Sequence, residues 1–228
     1  MPLPARLWTL AARVRQRAAG GPPPRERLVR RFAPGRTFAD IGCMWGVSGR
    51  IAFEAEASGA TAVTGLDVMA PTAEYEAEHA SRNSQVRFVR GDVHDPAVVR
   101  EVGPHQVVWC SGVLYHAPNP LLTLERLREI TQEHLILATE TIPEVPGLKQ
   151  ACVFFPGLDE RQRGVHQSAR PQATALGLSN EFMTEQGYGA WWWGLSRSAV
   201  HGMLAASGFT IAEESGGPLH ITVIATPR

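Results

Sequence analysis

From Thr37 onward, short apolar runs alternate with stretches whose apolar residues recur every three or four positions. Short runs of this kind predict strands, and the three-to-four spacing predicts helices with one apolar face. Strands are expected at 37–41, 62–66, 86–89, 106–110 and 134–139, and helices at 48–57, 72–82, 96–102 and 121–131. Gly59 stops the first of these helices, Pro71 stands near the first turn of the second, and Asn119-Pro120 reads as the cap and first turn of the last. Strands separated by helices of this length imply right-handed β-α-β units and a parallel sheet. The pattern breaks at Pro143, and residues 143–195 hold seven glycines and few apolar periods. Order returns at Ser196, a cap for a helix over 199–206 that Gly208 ends. Runs at 209–213 and 221–225, joined through Ser215–Pro218, predict a terminal strand pair, which brings the strands to seven.

Ahead of this body, Leu3, Leu7, Leu10 and Val14 recur at helical steps, so residues 3–18 read as an amphipathic helix. Gly20-Gly-Pro-Pro-Pro24 ends it and is the candidate linker. A short basic helix follows to Phe32. The expected division is a helical arm over 1–36 and a body over 37–228, with 143–195 as an insertion in the body.

Charge sharpens that division. The net charge is zero, yet residues 1–36 hold nine arginines and one acid, Glu26, for a formal +8, so the rest carries −8. Such an arm suits packing on its own acidic body, contact with an anionic ligand or nucleic acid, or an organelle transit peptide. With 44% hydrophobic and 19% charged residues the composition is that of an ordinary globular domain. No apolar run reaches the roughly 18 to 20 residues of a membrane span. Cys43, Cys110 and Cys152 show neither zinc-ligand nor disulfide-framework spacing, so reduced thiols in a cytoplasmic protein without a metal are expected.

Candidate chemistry sits at the strand ends, where doubly wound sheets bind ligands. After the first strand comes Asp40-Ile-Gly-Cys-Met-Trp-Gly46, with glycines that let the backbone turn tightly and approach a ligand. Gly46 opens the next helix, whose free N–H groups favour anionic or acceptor groups. The second strand ends in Asp67, 21 residues beyond Gly46, where a carboxylate can accept both ribose hydroxyls of a nucleoside. Arg90-Gly-Asp92-Val93 closes the third strand, where an acid can accept an adenine amino group and Val93 can offer a backbone N–H. A dinucleotide fingerprint needs a second glycine where Met44 stands, which favours a nucleoside without a diphosphate.

The order of elements, with Asp40-x-Gly-x-x-x-Gly46, Asp67 and Asp92, resembles the class I S-adenosylmethionine-dependent methyltransferases over about 37–141, and more weakly over 191–226. The string Gly112-Val-Leu-Tyr-His-Ala-Pro-Asn-Pro120 resembles the branch holding the tRNA wobble-uridine carboxymethyltransferase and related bacterial methyltransferases. Tyr115 matches that enzyme's motif tyrosine. Its carboxylated cofactor needs cationic partners, however, and the only lysine here is Lys149. The resemblance implies a Rossmann-like α/β fold, a mostly parallel seven-stranded sheet with helices on both faces. It also implies that Asp40, Gly42, Cys43, Gly46, Asp67, Asp92, Val93 and Ser111 surround S-adenosylmethionine.

Methyl transfer needs alignment of a nucleophile and exclusion of water, and a base only when a proton leaves the nucleophile. His116, Tyr115 and Glu140 follow the fourth and fifth strands and are the catalytic candidates. The insertion, with Phe154, Phe155, His166, Tyr188 and Trp191-Trp192-Trp193, is expected to lie over the site mouth as a substrate lid, with at least one tryptophan meeting a pocket or partner. The leading expectation is methyl transfer to a small molecule such as a natural product or a sugar. Modification of tRNA or another RNA, and a non-methylating role for the same fold, are the alternatives.

Overall fold

The computed structural model describes residues 3–18, 24–170, 177–178 and 182–228. Most of the Gly20–Pro24 linker lies outside them. Among the described residues nine strands form: β1 (Thr37–Ile41), β2 (Ala62–Asp67), β3 (Arg87–Arg90), β4 (His105–Ser111), β5 (Thr131–Glu140), β6 (Cys152–Phe154), β7 (Trp193–Leu195), β8 (Phe209–Gly217) and β9 (His220–Pro227). Seven make one sheet in the order β3-β2-β1-β4-β5-β9-β8. The first five are parallel, β9 runs antiparallel to β5, and β8 is antiparallel to β9. The Rossmann-like sheet expected from the sequence is thus present.

The helices are α1 (Leu3–Ala18), α2 (Arg25–Phe32), α3 (Arg50–Ala57), α4 (Ala73–Ser81), α5 (Pro96–Val102), α6 (Pro120–Ile130), α7 (Glu160–Ala169) and α8 (Arg197–Ala206). Side chains alternate between the two faces of each strand. Val108, Cys110, Leu135 and Leu137 therefore share one core with residues of α5, α6 and α8. Phe38, Val107, Trp109 and Ile136 share the other with residues of α2, α3 and α4. Sequence caps act as expected: the Asn119 side chain accepts from Leu122 N, and Ser196 from Ala199 N. One helix begins later than expected, at Arg50, because Ser48 and Gly49 both have positive φ and hold the chain in turns.

α2 contributes Leu28, Val29 and Phe32 to the core, so this part of the arm packs as a layer of the sheet. Arg30, Arg31 and Arg36 are ion-paired with Glu54, Glu213 and Glu133 of the body. α1 lies against α7 and β8. It turns Thr9 and Ala12 inward and leaves Leu7, Leu10 and Val14 exposed, so its apolar stripe faces outward. The described residues of the insertion form more regular structure than their composition suggested. β6 and β7 pair antiparallel, with Phe154 opposite Trp193, and a capping box at Asp159 and Gln162 starts α7.

Candidate active site

A cavity of about 630 Å³ crosses the carboxyl ends of the parallel strands, at the point where the strand order reverses between β1 and β4. The turn after β1 forms one wall. Gly42 has φ +81°, and a Cβ there would lie 2.4 Å from Val113 Cγ2, so a residue without a side chain is required. The turn is tied to the end of β2: Gly42 N–H donates to Leu66 O at 2.8 Å, and Met44 N–H to Asp67 Oδ2 at 2.7 Å. The Met44 side chain is fully buried in the core. Its amide is already paired with a carboxylate and is not free to meet a diphosphate.

Asp40, Gly42, Gly46, Asp67, Val93 and Ser111 all line the cavity. Asp40 is 2% exposed, and its Oδ2 is buried without a hydrogen-bond partner. Burial raises its carboxyl from 3.8 to about 7, opposed by a hydrogen bond from the Ala52 backbone and raised further by Asp67. Burial also raises the Asp67 carboxyl, against the pull of N–H donors from Met69 and Met44. Asp67 Oδ1 accepts from Met69 N at 2.9 Å, and the backbone N–H groups of Val68 and Trp45 also face the carboxylate.

Two expected cofactor residues are not brought to the cavity wall. Cys43 is fully buried in the core, where desolvation pushes its thiol well above its ordinary value. Asp92 is engaged by the insertion, because its Oδ1 accepts from Tyr188 OH at 2.7 Å and from His94 N at 2.8 Å. Its neighbours Gly91 and Val93 do reach the wall.

Tyr115, His116 and Glu140 line the cavity with Thr139 and His220. His116 faces the Ala190 carbonyl through Nδ1 at 2.9 Å, so that nitrogen carries the proton. Burial lowers its pKa to about 4, which makes it a weak base near neutral pH and a brace for the insertion. Tyr115 is buried, its ring centre 4.5 Å from that of Trp191, and burial raises its phenol pKa. Glu140 Oε2 accepts from Arg170 Nε at 3.1 Å, and Oε1 lies 3.3 Å from His220 Nδ1.

The tryptophan run does not line the cavity. Trp191 is buried with Tyr115, Phe155 and Leu178, Trp192 Nε1 donates to Gly187 O, and Trp193 Nε1 donates to Pro118 O. The insertion instead supplies Gln186, Tyr188 and Gly189 to the wall. His166 packs on Phe155 away from the wall. Among the wall residues that the sequence reading missed are Trp45, His220 and Arg25. Trp45 lay inside the expected turn with no signal of its own. His220 stands one residue before the expected last strand. Arg25 carried no signal separating it from the arm's other arginines.

The methyltransferase domain family matches residues 39–137. No curated protein matches the chain. The N-terminal domain of EvdMO1, with SAH bound, superposes with a TM-score of 0.58 at 19% identity, covering 90% of this chain and 79% of that one. Magnesium protoporphyrin IX methyltransferase from Synechocystis PCC 6803, with bound SAH, gives 0.55 at 16% identity, covering 90% and 82%. The 1,6-didemethyltoxoflavin-N1-methyltransferase from Burkholderia thailandensis, with its substrate and S-adenosylhomocysteine bound, gives 0.57 at 14%, covering 90% and 77%. Residues 39–137 thus match a methyltransferase domain, and the fold is shared with these SAH-bound proteins.

Among the described residues no helix is long and apolar enough to cross a membrane.

Proposed function

We propose that the chain transfers a methyl group from S-adenosylmethionine to a nucleophilic atom of a small molecule held beneath the insertion. One observation carries this reading. A single cavity joins Asp40, Gly42, Asp67 and Val93 at one end to Tyr115, Glu140 and His220 at the other, with Gln186, Tyr188 and Gly189 of the insertion in its wall. Its volume is in the range of about 300 to 1,000 Å³ that suits small ligands.

The residues present fit the cofactor. The unpartnered, buried Oδ2 of Asp40 is an acceptor for a cationic methionine end. Asp67 lines the wall as an acceptor for ribose hydroxyls, and Val93 lines it where an adenine would lie. S-adenosylmethionine, when bound, supplies a methyl group made electrophilic by its sulfonium centre. The chain's own residues orient the acceptor and exclude water. Tyr188, hydrogen-bonded to Asp92, ties the insertion across the cofactor end.

The likeness to proteins crystallised with a small-molecule substrate or SAH supports a small-molecule acceptor. Pairing of Arg30, Arg31 and Arg36 with body acids leaves the arm less charge for nucleic acid, which weighs against the RNA-modifying branch. Isothermal titration with S-adenosylmethionine tests the cofactor site, and absence of binding by the folded protein refutes the reading. Incubation with candidate acceptors should give a product heavier by one methyl group, with tRNA as the comparison substrate.

A further inference from the structure

β9 enters the sheet against the direction of β5, so its first residue lies at the end where the parallel strands deliver their ligand residues. The register sets His220 directly opposite Glu140, the last residue of β5. Both line the cavity. Glu140 is gripped from the far side by Arg170, which follows α7 and is 6% exposed. An ionised carboxylate only accepts hydrogen bonds, so the neutral His220 ring carries its proton on Nδ1, toward Glu140 Oε1 at 3.3 Å. Nε2 then bears a lone pair. In this structure that lone pair accepts from Thr222 Oγ1 at 3.3 Å, so an acceptor hydroxyl takes the place of the threonine hydroxyl. Carboxylate, imidazole and an open cavity follow the orienter-and-base arrangement used to activate hydroxyl nucleophiles.

We propose that His220 is the catalytic base of the methyl transfer, oriented by Glu140, and that the acceptor atom is a hydroxyl oxygen of a small molecule. This rests on the methyl-transfer reading above. The acceptor oxygen forms the new bond to the methyl carbon, and the carbon–sulfur bond breaks with its electron pair left on sulfur. The hydroxyl proton passes to His220 Nε2. The imidazolium so formed faces the Glu140 carboxylate and later loses its proton to water. Arg170 is a positioning residue acting through Glu140. The charged and titratable groups around the pair are Glu140, Arg170, Tyr115 after β4, and Arg25 of α2 on the same cavity wall.

Two measurements test this on the full chain. In long-range proton–nitrogen spectra of histidine-labelled protein, neutral His220 should carry its proton on Nδ1, and a proton on Nε2 overturns the proposal. Transfer from S-adenosylmethionine to phenol, catechol and glucose is then followed for wild type, H220A and H220Q. Loss of the base should lower transfer about 100-fold or more at neutral pH, the usual span for general base catalysis. Cofactor affinity should stay within about twofold, because the base contacts only the acceptor. The deficit should narrow by up to about tenfold per pH unit as the acceptor ionises in solution. A deficit that is constant with pH, or no transfer to any of the three by wild type that binds S-adenosylmethionine, overturns the proposal and leaves the cofactor reading intact. Failure to bind S-adenosylmethionine brings down the methyl-transfer reading, and this inference with it.

Discussion

Asp40→Asn is expected to stabilise the cofactor-free protein while weakening its grip on the cofactor. The carboxyl is 2% exposed, has one oxygen without a partner and sits near Asp67. Its pKa stands at about 7 in the fold against an ordinary value of 3.8. Above pH 7 the group is ionised in both folded and unfolded chains, and the folded chain alone bears the cost of burying the charge. At about 1.36 kcal/mol per pKa unit, that cost is about 4 kcal/mol at pH 8. At pH 5 the folded carboxyl is protonated while the unfolded one is largely ionised, and the cost falls to about 2 kcal/mol. Stability contributed by this group therefore declines as pH rises from about 4 to about 7 and is flat above. Asparagine keeps the oxygen that accepts from the Ala52 backbone and carries no charge. Urea denaturation of both proteins without cofactor should show the variant more stable, with a larger gain at pH 8 than at pH 5. A cationic ligand beside Asp40 relieves the same cost, so wild type should bind S-adenosylmethionine more tightly as pH rises through 7. The variant should bind weakly with a flatter profile. A variant less stable than wild type at pH 8, or one whose gain is the same at both pH values, refutes the reasoning.

Asp67→Ala removes the acceptor of two backbone N–H groups as well as the proposed ribose contact. Titration calorimetry should show S-adenosylmethionine affinity reduced by about tenfold or more, and denaturation a loss of about 1–3 kcal/mol for each amide left unpaired and dry. Gly42→Ala forces a side chain at φ +81° into Val113, and a loss of about 1–3 kcal/mol is expected from thermal unfolding. Trp191→Ala empties the contact with Tyr115 and Phe155 and should cost about 3–5 kcal/mol by urea titration. It should also loosen the insertion, seen as faster proteolysis within 143–195.

The terminal strand pair shows where sequence reading stopped. Its apolar run was legible from Ile221, because alternating burial is a local signal. His220 fell one residue outside that run, and nothing local marks it as a site residue. Its importance follows from β9 running antiparallel to β5, which places the first residue of β9 rather than its last at the ligand end. The tryptophan run shows the converse. Three adjacent tryptophans suggested that at least one meets a pocket, lid or partner; Trp191 packs on Tyr115, Trp193 pairs opposite Phe154, and the residue of this stretch that reaches the cavity with a large ring is Tyr188.

The sequence by itself determined the element order, the parallel sheet and the glycine turn with acids at successive strand ends. These depend on periodicity, caps and turn chemistry, which act over a few residues. Tertiary structure decided which of those residues reach the cavity. It buried Cys43, gave Asp92 to Tyr188, faced the α1 stripe outward, and brought Arg25 and His220 to one wall. Such placements depend on contacts between segments distant in sequence, and on the hand and direction of strands that no local pattern encodes. The Asp40 turn was readable early for that reason, and its partner across the cavity was not.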